Sequence, residues 1–315
     1  MEDVIPLLAV NGPTASGKSG LAIDVALALI ASGQPAEVVN ADSMLVYRGM
    51  DIGTAKPTVE ERRGVPHHLI DILDVTESAT VADFQRRARR AFAEVRGRGA
   101  VPVVVGGSAL YMRAILDHFD FPGTDPAVRA RWEAELARVG PHALHALLAR
   151  RSPEAARELE PGNGRRIVRA LEVLDLAGDH RPTLPEWTYE VPGVLSHGLS
   201  LERAVMDERI DRRVDAMWAD GLVEEVRTLA DRGLREGFTA SKALGYRQVL
   251  AFLDGETSEE EARAETARRT RRFARKQLSW LRRDHRITWH DAASGGLADR
   301  LAGVVLSASD PGVGE

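Results

Sequence analysis

The chain has 315 residues, 44% of them hydrophobic, and carries 42 Lys and Arg against 47 Asp and Glu for a net charge of -5. That is length and apolar content enough for one large domain with an insertion, or for two domains, and it excludes disorder as the main state. With no cysteine, disulfides, thiolate chemistry and Cys-ligated zinc are excluded, and a reducing cytoplasm is the expected compartment.

The acidic start, Met1-Glu2-Asp3, lacks the cationic segment of a secretory signal. Every apolar run falls short of the roughly 18 residues of a membrane span, so no membrane association is expected. Residues 5–10 are a short apolar run that predicts a strand ending at Asn11-Gly12-Pro13. A helix follows over 20–30, with Leu21, Val25 and Leu29 on one face and Gly33 as its C-terminal cap. Val38-Val39 begins a second strand and 68–72 predicts a third. Residues 81–95 read as a helix with Phe84, Ala88 and Phe92 inward, and 101–105 as a strand covered on both faces. This alternation predicts an open, doubly wound parallel α/β sheet.

After Leu116 the strand signals vanish. Helical patterns over 126–139, 141–150 and 165–177, separated by Pro-Gly and Ser-Pro breaks, predict a helical insertion over 117–194. The core is then discontinuous, 1–116 and 195–315. Residues 195–201 return the chain to the sheet, and helices are expected over 208–219, 222–232, 245–253 and 258–283, before a frayed tail from Ser307.

The run Gly12-Pro13-Thr14-Ala15-Ser16-Gly17-Lys18-Ser19 matches G-x-x-x-x-G-K-[ST] between a predicted strand and a predicted helix. In such a loop the backbone N–H groups and the helix N-terminus converge on one concavity, Lys18 adds a full charge, and the Ser19 hydroxyl can join an Mg²⁺ shell. The motif does not fix the ligand as a nucleotide, because any diphosphate carries the required charge. Asp42, within Asn40-Ala41-Asp42-Ser43-Met44, falls at the carboxyl edge of the sheet, where a carboxylate is a general base, an Mg²⁺ ligand or a helix cap. Gly106-Gly107-Ser108 reaches the same edge and offers either close backbone approach with a positioning hydroxyl or a plain tight turn. Residues 51–57 form a Gly- and Thr-bearing loop able to close over the site. His67-His68 is a poor metal pair, since adjacent strand side chains point to opposite faces. Arg209, Arg212 and Arg213 are either a clamp on phosphates or a solvated helix face.

Between Arg268 and Arg286 nine cations stand against one acid, Asp284. A helix burying Phe273, Gln277, Leu278 and Leu281 would turn the arginines outward, an arrangement suited to a nucleic-acid backbone rather than to ordinary helix pairing.

The order of segments is as informative as their spacing. The loop at 12–19, Asn40-Ala41-Asp42-Ser43-Met44, the stretch from Tyr47 to Pro57 and Gly64-Val65-Pro66-His67-His68 closely resemble the bacterial tRNA dimethylallyltransferase family. So do Arg169-Ala170-Leu171-Glu172-Val173, Gly221-Leu222-Val223-Glu224-Glu225-Val226, Gly245-Tyr246-Arg247-Gln248 and Gln277-Leu278-Ser279-Trp280. The resemblance covers about residues 5 to 290. It implies a P-loop NTPase-like core with a tRNA-contacting helical insertion. The implied reaction transfers a dimethylallyl group from dimethylallyl diphosphate to N6 of adenosine 37, in the anticodon stem-loop of tRNAs reading U-initial codons.

Carried over by match, Gly12, Pro13, Thr14, Ala15, Ser16, Gly17, Lys18 and Ser19 would hold the diphosphate with Arg209 and Arg213, and Ser19 would take part in the Mg²⁺ shell. Asp42 would accept the N6 proton, with Lys18 and Ser108 completing the catalytic set. Asp42, Ser43, Met44, Leu45, Ser108, Arg129, Arg165, Arg166, Ile167, Val168, Arg169, Arg247, Gln248, Arg275 and Lys276 match positions expected to meet tRNA. The chain departs from the family pattern at Ser108 (commonly Thr), Leu45 (frequently Gln), the order Arg275-Lys276 and a shortened Asn163-Gly164-Arg165. A cytoplasmic monomer is expected. The competing readings are a P-loop kinase of a nucleotide or small molecule, and a nucleotide-gated RNA switch. The second lacks a guanine-reading Asn/Thr-Lys-x-Asp segment and a clear Walker-B pair.

Overall fold

The computed structural model describes residues 4–119, 121–178 and 186–309. The chain forms two compact units, one of Met1–Asp117 with Tyr189–Glu315, the other of His118–Thr188. In the larger unit the elements run β1 (Leu7–Asn11), α1 (Lys18–Ala31), β2 (Ala36–Asn40), β3 (His67–His68), α2 (Val81–Gly97), β4 (Val101–Gly106) and α3 (Ala109–Leu116). The smaller unit holds α4 (Pro126–Arg151), α5 (Pro153–Glu158) and α6 (Gly164–Ala177). The larger unit resumes with β5 (Val194–Ser200), α7 (Arg203–Ala219), α8 (Leu222–Asp231), a 3-10 turn (Ala240–Lys242), α9 (Tyr246–Leu253), α10 (Glu259–Leu281), β6 (Thr288–Asp291) and α11 (Leu297–Ser309).

The six strands lie in the order β3-β2-β4-β1-β5-β6, every pair parallel. Strand alternation sorts one apolar run into two cores. Leu7 and Ala9 of β1, with Val39 and Val104, pack on the layer containing α2, α3, α8 and α9, whereas Leu8 and Val10, with Val38, Val103 and Val105, pack on α1 and α11. Burial on both faces is why β1 and β4 read as unbroken apolar strings.

The third strand is shorter than the sequence predicts. Leu69 and Asp71 take positive φ of 61° and 55°, so the chain leaves β2 after His68 and instead bonds back through Asp71 N–H to Leu45 O at 3.2 Å and Ile72 N–H to Val46 O at 2.8 Å. β6 and α11 are absent from the sequence-based expectation. The expected tail from Ser307 begins as helix, since α11 runs to Ser309; residues 310–315 lie outside those described. The insertion is bounded more tightly than 117–194. Asp117 and Tyr189 are bridged antiparallel, and Glu190 N–H donates to Leu116 O at 2.9 Å, so the larger unit resumes before β5.

Within the smaller unit, α4 breaks at Gly140 (φ 78°) ahead of Pro141, giving the two helical pieces that the sequence predicts. Leu144, Leu148, Ile167, Val168 and Leu171 form its core. Fully buried Glu172 there accepts from Arg129 Nη2 at 2.7 Å and Arg169 Nη1 at 2.9 Å. No helix of the described residues is long and apolar enough to cross a membrane.

Candidate functional site

The carboxyl ends of β1, β2 and β4 open onto a cavity of about 790 Å³. Its floor is the loop after β1. There Ala15 at φ 64° and Gly17 at φ 88° alternate with ordinary residues, the backbone pattern that turns successive N–H groups inward, and α1 starts at Lys18 with no side-chain cap on its free N–H groups. Thr14, Ala15, Gly17, Lys18 and Ser19 line the cavity. Gly12, Pro13 and Ser16 are buried beneath it, and Ser16 Oγ has no hydrogen-bond partner among the described residues.

Burial lowers the Lys18 amine to about 8, with the Asp42 carboxylate pulling it back up and Arg213 pushing it further down. Arg213, on α7, lines the same cavity, and burial and Arg209 one turn earlier both press on its charge. These cations crowd a concave site, an arrangement that a bound anion relieves. Of the three α7 arginines singled out in the sequence, Arg213 lines the cavity, Arg209 acts on it from one turn earlier, and Arg212 turns to solvent 3.7 Å from Glu208.

Asp42 lines the same cavity, near enough for its carboxylate to act on Lys18. It sits in a turn fixed by buried Asn40, whose Oδ1 accepts Asp42 N–H at 2.8 Å and whose Nδ2 donates to Asp42 O at 2.9 Å and Leu69 O at 3.0 Å. Leu45 lines the cavity, while Ser43 and Met44 are half-buried in the same turn.

Thr54, Ala55 and Pro57 form another wall, and two anchors hold it. The Glu225 carboxylate of α8 accepts the N–H groups of Asp51, Ile52 and Gly53 at 3.0, 2.7 and 3.2 Å and the Tyr246 hydroxyl at 2.5 Å. Buried Lys56 donates to Asp51 at 2.6 Å, Asp71 at 2.5 Å and Tyr47 O at 2.8 Å. The loop expected to close over the site is thus pinned at both ends. Gly53 is required there, because a Cβ would lie 2.5 Å from the Tyr246 ring. Sequence reasoning gave Glu225 no role, although it falls in a segment that carried the resemblance.

Several predicted contacts are placed differently. Ser108 caps α3, its hydroxyl accepting Tyr111 N–H at 3.5 Å, and it does not line the cavity. Ile167 and Val168 are buried in the core of the smaller unit, so their side chains are corrected from tRNA contacts to packing. Gln248 is buried and accepts Gly245 N–H at 2.9 Å as part of a cap, whereas Arg247 is exposed. Arg165 and Arg166 are exposed at the start of α6; Arg129 and Arg169 are committed to Glu172. His68 pairs with Glu37 at 2.5 Å and His67 with Val65 O at 2.8 Å, which keeps them apart as metal ligands.

The arginine run is less bare than its sequence. Arg268 and Arg269 pair with Glu265, Arg271 with Asp211, Arg275 with Asp207 at 3.5 Å, and Arg286 with Asp284 and Asp117. Phe273, expected inward, is exposed, because α10 packs through Ala262, Thr266, Ala274, Gln277 and Leu281. Its outer face therefore carries Arg272, Phe273, Lys276 and Trp280, and in the turn after it the Arg283 guanidinium lies 4.3 Å from the Trp280 ring centre.

Comparison with known proteins gives one family and consistent relatives. The model of the IPP transferase family matches residues 45–284. A tRNA dimethylallyltransferase of Thermobifida fusca is 59% identical over 96% of this chain and 95% of its own. One of Kineococcus radiotolerans is 62% identical over 92% of each. Among solved structures, the full-length tRNA isopentenylpyrophosphate transferase of Bacillus halodurans superposes with a TM-score of 0.69 at 39% identity, over 97% of this chain and 98% of that one.

Proposed function

The chain belongs to the IPP transferase family, and on that premise we propose that it transfers a dimethylallyl group from dimethylallyl diphosphate to N6 of adenosine 37 in tRNAs reading U-initial codons. The observation that carries the reading is the single cavity in which Asp42 faces Lys18, Arg213 and the open N-terminus of α1.

The adenine N6 lone pair is delocalised into the ring, so the amine is a weak nucleophile and its proton must leave as the new bond forms. As N6 bonds to C1 of the dimethylallyl group, the C1–O bond breaks and its electron pair departs with the diphosphate. Asp42 takes the N6 proton. Lys18, Arg213 and the loop N–H groups stabilise the charge that collects on the leaving oxygens.

Mg²⁺ fits this site as a companion of the diphosphate. Among the described residues no group of three or more His, Asp or Glu forms a metal cage, and the donors at the loop are oxygens, with Ser19 beside the phosphate concavity. That suits an ion that keeps waters and binds mainly through substrate phosphates. Ser19 would hold it with the diphosphate, where it supplies further charge neutralisation.

On the RNA side, the target base must leave its stack to be alkylated. The exposed cations of α10 and Arg247 support a grip on the anticodon stem-loop, and within the insertion exposed Arg165 and Arg166 separately suit phosphate contacts. The tRNA substrate fits a cytoplasmic setting.

The test is incubation with dimethylallyl diphosphate, Mg²⁺ and unmodified tRNA, followed by nucleoside mass analysis. N6-isopentenyladenosine at position 37 is expected. ATP turnover without prenyl transfer would replace the reading with a kinase.

A further inference from the structure

Gln277 is a buried polar residue on α10 that the proposed reaction leaves without a role. Its Oε1 accepts the backbone N–H of Thr14 at 2.9 Å. Because that partner is a donor, the carbonyl end of the amide is the one facing Thr14. The other end lies against the turn after β4: a Cβ on Gly107 would come within 2.6 Å of Gln277 Nε2 and 2.7 Å of Gly12 O. The carboxamide is therefore wedged between the two loops at the sheet's carboxyl edge, and glycine at 107 makes room for it.

The bond falls where the diphosphate loop is most strained. Ala15, directly after Thr14, holds φ 64°, which a residue with a Cβ adopts only when its surroundings impose it. Two contacts impose it here. The Ala15 methyl packs with Met206, Ile210 and Val214 of α7 and Ala274 of α10, and Gln277, one turn beyond Ala274, fixes the preceding N–H. The helix with the exposed cationic face thus also sets the shape of the loop facing the diphosphate.

We infer that Gln277 is a positioning residue for the donor: its carboxamide holds the diphosphate loop in its binding conformation through Thr14 N–H. This rests on the reading that the loop binds a diphosphate. Losing the acceptor leaves a part-buried N–H unpaired and the strained turn free to relax, which weakens diphosphate affinity without removing any group that touches the reacting atoms.

Calorimetric titration of inorganic pyrophosphate with Mg²⁺ tests it, together with steady-state prenyl transfer. Gln277→Met keeps the length and approximate volume of the side chain but cannot accept the bond. Its pyrophosphate Kd and donor KM should rise about tenfold, with kcat at saturating donor within about threefold of wild type and the Kd for tRNA unchanged. Gln277→Ala, which removes the acceptor without adding bulk, should move the same constants in the same direction, so the inference remains testable if the first variant folds poorly. Unchanged pyrophosphate affinity in both variants, or a loss confined to kcat, would overturn the inference while wild-type prenyl transfer leaves the reaction standing. Wild-type protein that binds no pyrophosphate would overturn both.

Discussion

Asp42 Oδ1 accepts the backbone N–H of Met44 at 2.8 Å, and Oδ2 makes no hydrogen bond to a described residue. One carboxylate oxygen thus shapes the turn while the other stays available for chemistry. Asn at this position can keep the Met44 bond but cannot act as a base. Asp42→Asn should lower kcat by about 10²–10⁴-fold, with pyrophosphate affinity and melting temperature near wild type. Single-turnover measurement of prenylated tRNA, alongside pyrophosphate titration, separates the two effects, and turnover near wild type would remove Asp42 from the base role.

The outer face of α10 and the turn that follows it supply a second prediction. Arg272, Lys276 and Arg283 have no salt bridge to a described residue, whereas Arg268, Arg269 and Arg271 do. Neutralising the first three together should weaken tRNA binding and reduce the slope of log K against log salt by up to about 3, roughly one for each phosphate left without its cation. Neutralising Arg268 and Arg269 should change it less. Filter-binding titrations across a salt series give both slopes, and equal slopes would place the RNA elsewhere.

A third concerns acid stability. His197 Nδ1 lies 2.9 Å from His290 Nε2 on neighbouring strands, and burial together with His290 lowers His197 from its ordinary 6.5 to about 4. Between those values the unfolded chain binds the proton and the folded one does not, so stability falls as pH drops from 6.5 towards 4. The loss reaches on the order of 3 kcal/mol at the acid end. Urea midpoints taken at intervals from pH 7 to 4 should trace it, and His197→Gln should flatten that portion of the curve.

A fourth concerns the charge cluster behind α3. Fully buried Asp117 accepts from Arg113 Nε at 2.8 Å and from Arg286 Nη1 and Nη2 at 2.8 and 3.1 Å, and the Arg286 guanidinium lies 3.8 Å from the Tyr189 ring centre. Asp117→Ala removes the buried carboxylate that both guanidiniums share and should cost about 3–5 kcal/mol. Chemical denaturation measures this directly; a change under about 1 kcal/mol would show that the cluster tolerates its own disruption.

The sheet and the diphosphate loop were legible because both are local. An apolar run buried on two faces announces a strand, and 12–19 carries its geometry in eight residues. Some of the rest was legible in part: Leu297, Leu301, Ala302 and Val305 show helical spacing, yet the Gly- and Ser-rich residues on either side obscured α11. Phe273 was misassigned because an amphipathic pattern on an arginine-rich helix fits more than one burial face, and Ala274 and Gln277 in fact take the inner one. The partners of the cationic run, Asp207, Asp211 and Asp117, are distant in sequence, so counting charges within a window could not find them. Glu225 and Gln277 act through backbone N–H groups of loops far along the chain, a relationship that composition and periodicity do not encode.

The antiparallel bridge between Asp117 and Tyr189 brings together the points at which the chain departs into residues 118–188 and comes back. A short turn spanning those two positions would close the backbone without disturbing β4 or β5, and each residue lining the diphosphate cavity lies outside the excised stretch. The donor pocket and the inserted helices are thus separable modules. A chain built this way can exchange or enlarge its insertion while the lining of the cavity stays as it is.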